Sequence, residues 1–234
     1  MSKVNKPKFK IYSKLGLKLT DNPKLKSQKL SSKKWQVLFG SNYRPKKDTE
    51  YGFLLRSKQE LKTFYGSLKD KQLNNLFIKA KKYKGNQTIN LIKLLERRLD
   101  IFLYRCKLSP SIHEIRFLIQ HGHFLLNNNI VKTSSIILKP GDIISVDLKS
   151  KSFIKLKMKN YLESLKKVNK ISKKNKINKI IKDNPILFTP NYIEFNTQLL
   201  KGKLVELPRV EDISYPFNPN LTSLTEYFKY KKKL

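Results

Sequence analysis

Few residues in this sequence are placed to do chemistry on a bound molecule. His121 and His123 flank Gly122, a spacing that could hold a metal ion, but no second pair of His or Cys sits at useful spacing. A histidine at a helix end on a basic surface more often contacts a phosphate or a carbonyl. Cys106 is the single cysteine, which excludes an internal disulfide and a cysteine-only zinc site; it reads as a small core residue. The eight glycines are scattered, so there is no glycine-rich phosphate loop, and no His-Glu-x-x-His run occurs. This reading expects no catalytic residue, no metal and no cofactor. What remains is charge.

Lys and Arg number 51 against 17 Asp and Glu, a formal net charge of +34. Such a surplus makes a compact chain repel itself, and a polyanion relieves the repulsion; nucleic acid is the commonest one. The surplus is localised: +13 over residues 1–47, +11 over 150–182 and −2 over 183–230. That pattern describes basic extensions on a better-mixed globular body. No apolar run approaches the ~18 residues of a membrane span, and no charged-then-apolar leader opens the chain. No amphipathic helix with a strong apolar face accompanies the lysines, so a membrane partner is not expected. The chain holds 44 Lys, 19 Asn and 21 Ile but a single alanine, Ala80. Lys, Asn and Ile are written with AT-rich codons, which points to an AT-rich genome: a mitochondrion first, a plastid second, an AT-rich bacterium third.

The elements that must carry this charge follow from periodicity and turn chemistry. From Thr49 to Lys84 the spacing is helical: Leu54, Leu61, Phe64, Tyr65 and Leu68 share one face, then Leu73, Leu76, Phe77 and Ala80. Gly66 divides this stretch into two helices, and Gly85 suits a C-terminal cap. A third helix starts at Thr88 and keeps its period through Leu91, Leu95, Leu99, Phe102 and Leu103. Ser111 and Glu114 have capping-box spacing; Ile112, Ile115 and Ile119 line the buried face of the helix that follows, and Gly122 ends it. Phe124–Leu126 and Ile130–Val131 read as short strands around an asparagine turn. Lys139-Pro-Gly-Asp142 fits a type II turn, followed by a strand at Ile143–Val146. Residues 155–182 hold 11 lysines and one acid, with Leu156, Ile171, Ile177 and Ile180 too thinly spread for a core face, so this extension is helical at best and outside either core. Tyr192–Phe195 and Leu204–Leu207 alternate as strands, and Leu221, Leu224, Tyr227 and Phe228 mark a last short helix.

The run Leu94-Leu-Glu-Arg-Arg-Leu-Asp100, then Tyr104-Arg105, Ser109-Pro-Ser-Ile-His-Glu-Ile-Arg116, Gln120-His-Gly-His123 and Lys139-Pro-Gly-Asp-Ile-Ile-Ser-Val146 resembles the S-four RNA-binding module. The form is that carried by a small-subunit ribosomal protein family. Outside the module, the stretch from Tyr51-Gly52 to Gln72 and Ala80 resembles the helical region preceding it in that family. Tyr192-Ile-Glu-Phe195, Leu200-Lys-Gly-Lys203 and Glu226-Tyr-Phe228 resemble the family's C-terminal segment. The resemblance implies that Arg97, Arg98, Arg105, Ser111, Arg116, His121, His123 and Lys132 lie on or beside an RNA face. It implies the same for Tyr51, Arg56, Lys58, Gln59, Tyr65 and Gln72 on the helical part, and it makes Asp100 a partner that orients an arginine. Many bacterial members carry an N-terminal cysteine cluster for zinc, and residues 1–48 have no cysteine.

The expected fold class is α+β: a helical domain plus a small α+β S-four RNA-binding domain set before the C-terminal segment. The expected organisation is a basic arm over 1–48, the first part of the helical domain over 49–93, and the RNA-binding module over 94–153. A lysine-rich insertion then covers 154–184, and a C-terminal segment over 185–234 completes the helical domain. The resemblance implies a non-enzymatic constituent of the small ribosomal subunit that binds its rRNA early in assembly and helps line the channel through which mRNA enters. Its partners would be small-subunit rRNA, neighbouring small-subunit proteins and mRNA, with neither a membrane nor a second copy of itself. The alternatives are a heat-shock-type RNA-binding protein off the ribosome or a subunit of an RNA-modifying enzyme, for which little chain remains. With no cysteine cluster, chelators should leave the thermal midpoint of the purified protein unchanged; stoichiometric zinc coupled to stability would contradict this.

Overall fold

The computed structural model describes residues 49–174, 190–213, 215 and 219–233, which form parts of two compact units. The basic arm and residues 175–184 of the expected insertion lie outside the described residues.

The first unit is helical and takes in residues before 74 and after 215. Helix α1 (Glu50–Phe64) starts where the Thr49 side chain accepts a hydrogen bond from the Gly52 N–H at 3.2 Å. Its face of Leu54, Leu61 and Phe64 is buried. Gly66, at φ 73°, ends it in the left-handed conformation that glycine tolerates, and helix α2 (Asp70–Lys81) follows, so the division at Gly66 holds. The C-terminal helix α7 (Leu221–Lys233) packs along α1 through Leu224, Tyr227 and Phe228, all buried.

The second unit spans residues 74–215. The third helix of the sequence reading is two: α3 (Gln87–Glu96), capped by Asn86, and α4 (Leu99–Arg105). A long-range pairing breaks the period. Leu138 N–H donates to Arg97 C=O at 2.8 Å and Leu99 N–H to Ile136 C=O at 2.9 Å, with Arg98 and Ile137 bridged as in a sheet. These bonds hold Arg98 extended (φ −69°, ψ 139°), which interrupts the helix. Helix α5 (Ile112–Gln120) packs on α4 and buries Ile112, Ile115, Leu118 and Ile119. The capping box is not formed: the Ser111 side chain makes no cap hydrogen bond. Glu114 instead accepts from the Ser109 hydroxyl and from Lys157.

Five antiparallel strands follow in the order β2-β1-β3-β5-β4. They are β1 (Phe124–Leu126), β2 (Asn129–Ile130), β3 (Ile143–Val146), β4 (Ile193–Asn196) and β5 (Lys201–Leu204). Asn127 and Asn128, at φ 48° and 69°, make the primed turn that matches strand twist. Lys139–Asp142 forms the expected turn, with Gly141 at φ 95° and Asp142 N–H donating to Lys139 C=O at 3.1 Å. Two expectations are corrected here. The second C-terminal strand lies at Lys201–Leu204 rather than Leu204–Leu207, because pairing with both β3 and β4 sets its register. Consequently residues 193–204 complete the module's sheet, and among the described residues it is α7 that completes the helical unit. A Cβ at Gly202 would lie 3.1 Å from the rings of Phe102 and Phe195, so the sheet meets α4 at a position fitted to glycine.

The lysine-rich extension is also corrected in its first half. A 3₁₀ turn at Leu148–Ser150 leads into helix α6 (Lys151–Lys174), and Ile154, Met158 and Tyr161 on one face are buried. Those three recur at helical spacing and belong to the core, whereas Leu156 is 59% exposed.

Two buried ion clusters tie the second unit together. Asp100, fully buried at the start of α4, accepts from Arg98 Nε and Nη2 at 3.0 Å each, from Ile101 N–H at 3.0 Å and from Arg116 Nε at 2.7 Å. Glu96, equally buried, accepts from Arg105 at 2.8 and 3.2 Å and from the Tyr192 hydroxyl at 2.9 Å. Burial, then the Glu96 charge, pushes the Tyr192 phenol far up, so it remains a donor. Removing one member of such a cluster strands a buried charge. Asp100→Ala should therefore destabilise the unit by about 3–5 kcal/mol in denaturant titration; a loss under about 1 kcal/mol, the scale of an exposed pair, would show the cluster to be incidental.

Candidate nucleic-acid interface

The module's exposed cations are positioned by how α5 ends. Gly122 N–H donates to Ile119 C=O at 2.9 Å and His123 N–H to Leu118 C=O at 3.3 Å, with Gly122 at φ 76°. This pair of bonds is a Schellman motif. It leaves His121 as the C-cap, exposed at the negative end of the helix dipole, and turns the chain so that His123 reaches Ser150. His123 Nδ1 and Ser150 Oγ are 2.6 Å apart. Asp100 holds Arg116, one turn earlier on α5, half-buried. Lys132 is exposed just past β2, its Cε near the position a Cβ on Gly122 would take. His121, His123 and Lys132 thus gather around the C-terminal end of α5, with Arg116 more than a turn before it on the same helix.

Two other expected contacts are corrected. Arg98 and Arg105 are each 4% exposed and committed to Asp100 and Glu96, so they build the module instead of meeting a ligand. Arg97 is half-buried, with Nε donating to Leu138 C=O at 2.7 Å. Ser111 is half-buried at the start of α5. Cys106 is buried, which raises its thiol pKa and keeps it inert, in keeping with a core role.

On the helical unit, Arg56, Gln59 and Gln72 are exposed, Arg56 lying 3.5 Å from Glu60. Tyr51 is 40% exposed and sits against the rings of Tyr227 and Tyr230. Tyr65 is 1% exposed and is a core residue. Lys58 is buried, and its ammonium donates to the Tyr227 hydroxyl at 2.9 Å and pairs with Asp70 at 3.0 Å. Lys58 therefore joins α1 to α7 and is withdrawn from any ligand. Burial pulls its pKa down, but the bonds to Tyr227 and Asp70 outweigh that and leave it raised. For Asp70, burial pushes the carboxyl up, while hydrogen bonds from Lys62 and Lys58 bring it below its ordinary value.

The residue reading passed over Lys201 and Lys203 as binding groups. They alternate with buried Gly202 and Leu204 along β5 and so share the exposed face of the sheet. The alternation Lys-Gly-Lys-Leu was the available signal.

A cation cluster at a helix end and a lysine-bearing sheet face, mounted on buried ion pairs, define a protein that grips a polyanion through its backbone. The comparisons agree. Residues 3–96 match the family model described as the ribosomal protein S4/S9 N-terminal domain, and residues 97–144 match the S4 domain. The small ribosomal subunit protein uS4 of Rickettsia canadensis is 33% identical over 236 residues, covering 97% of this chain and 99% of its own. Those of Rickettsia bellii and Rickettsia massiliae are 31% and 32% identical with the same coverage. The chain belongs to the uS4 family of small-subunit ribosomal proteins.

The Asp70 contact yields a pH test. A carboxyl with a depressed folded pKa adds stability above its unfolded value, about 3.9, and loses it as pH falls through the lower folded value. The thermal midpoint of the wild type should exceed that of Asp70→Asn near neutral pH, and the gap should close as pH drops below about 3.9. A gap independent of pH would rule out the ion pairs as its source.

Proposed function

We propose that the chain is a non-enzymatic structural constituent of the small ribosomal subunit. It binds small-subunit rRNA early in assembly, touches neighbouring small-subunit proteins, and helps line the channel through which mRNA enters. It acts as one copy per particle; a charge of +34 opposes self-association. A membrane is not among its partners. Its ribosome is organellar, mitochondrial before plastid, a reading supported by the lysine-, asparagine- and isoleucine-rich composition.

The observation that carries the RNA reading is the separation of two kinds of arginine. Arg98 and Arg105 are sealed into the core, while Arg116, held by the same Asp100, stays half-exposed on the helix that His121 closes. A buried anion that fixes a surface cation suits recognition of folded RNA by shape and backbone.

Binding to a small-subunit rRNA transcript should weaken linearly in log–log salt titration, by roughly 0.7–0.9 per phosphate contacted. Arg116→Lys, which keeps a cation beside Asp100 but loses the guanidinium fork, should weaken binding to the cognate rRNA more than to random RNA at an unchanged thermal midpoint. A flat salt dependence, or equal losses on both RNAs, would refute the assignment of Arg116 to specific recognition.

A further inference from the structure

The second unit carries a continuous run of rings on its surface. Phe117, on α5, is 59% exposed, and its ring centroid lies 4.2 Å from that of His121. His121 is 6.2 Å from His123, and His123 is 6.2 Å from Phe153 on α6, itself 46% exposed. Two residues border the run beside Gly122. A Cβ there would stand 3.3 Å from Ile130, which is 63% exposed, and 4.0 Å from the Lys132 side chain.

The core has no use for Phe117: its neighbours Ile115, Leu118 and Ile119 are buried, and it points the other way. A phosphate contact has no use for it either, since cations alone supply that. A nucleobase does, because every base has a π face that stacks on an aromatic ring whatever its sequence. The cations around the run favour a nucleotide over an apolar protein segment, since the flanking phosphate then has a partner within reach. Inside a duplex both faces of a base are already stacked, so the ligand must be unpaired.

We propose that Phe117 and His121 form a stacking site for an unpaired RNA base, with Lys132 taking an adjacent phosphate. This rests on the RNA-binding reading above and adds a requirement to it: the RNA must present a base outside a helix at this point.

The test compares two RNAs of equal length, a perfect duplex and a hairpin with an unpaired loop, using the full chain. Phe117→Ala should weaken binding to the looped RNA by roughly 5- to 100-fold and leave the salt slope unchanged. Binding to the duplex should not move. Phe117→Leu, which keeps apolar area without a π face, should behave like Phe117→Ala, and Phe117→Trp should retain affinity. Lys132→Gln should instead lower the salt slope by about 0.7–0.9 on the looped RNA. Thermal midpoints of the four variants should match the wild type, as expected for exposed positions. In assembled subunits, ultraviolet cross-linking should join an unpaired nucleotide to Phe117 or His121. The proposal is overturned if Phe117→Leu binds like wild type, if Phe117→Ala weakens both RNAs alike or neither, or if the cross-link joins a protein. Absence of salt-dependent binding to both RNAs by the wild type would instead sink the RNA reading itself, and this proposal with it.

Discussion

Asp100 is the anion on which the module's geometry turns. A carboxylate taken fully out of water is costly unless its lone pairs are met, and four donors meet them here. Each donor comes from a different piece of structure or fixes a different direction. Arg98 belongs to the stretch that breaks α3 from α4 and pairs with Ile137. The Ile101 N–H is one of the unsatisfied donors at the start of α4, where negative charge is also favoured by the helix dipole. Arg116 comes from α5. One side chain therefore holds Arg98 where the chain breaks between helices, accepts from a donor at the start of the second of them, and aligns the third through its arginine.

Glu96 plays the corresponding part at the other end of α4. It collects Arg105 from the helix and Tyr192 from the segment leading into β4, which are 9 and 96 residues away in sequence. A protein carrying +34 thus spends two of its few acids where no solvent reaches them. Their partners include Arg98 and Arg105, whose charge the core must neutralise, while Arg56, Arg209, His121 and Lys132 face outward.

Much of this was legible in the residues, and the failures have identifiable causes. Turn chemistry was the most readable: Gly66, Gly85, Gly122 and Gly141 all take positive φ, as do Asn127 and Asn128. Helix faces were readable wherever apolar residues dominated, as in α1 and α5. The break at Arg97–Arg98 was not, because it is imposed by residues 136–138, some forty positions on. The face of Ile154, Met158 and Tyr161 was obscured by the lysines between them, of which Lys155 and Lys159 are exposed. Roles of the arginines were the least readable part of the site. Arg98, Arg105 and Arg116 have the same side chain and each meets a buried acid, Arg98 and Arg116 the same one; only the depth at which tertiary packing sets the guanidinium separates them. Phe117 went unnoticed for the converse reason, since an apolar residue on an amphipathic helix is read as core by default.

The two units are nested in the chain, which bears on the order in which they can form during synthesis. Helix α1 finds its partner in α7, with Lys58 and Tyr227 169 residues apart, and the whole second unit lies between them. Within that unit β3 must wait for β5, more than fifty residues later. A chain leaving the translating ribosome thus completes α3 to α5 and the β1–β3 hairpins from local contacts, then the sheet, and last of all the helical unit that began first. Contacts of such separation are slow to close. For most of its synthesis α1 exposes Leu54, Leu61 and Phe64 without their final cover. Nascent-chain protection thus becomes a requirement of this topology, independent of how stable the finished fold is.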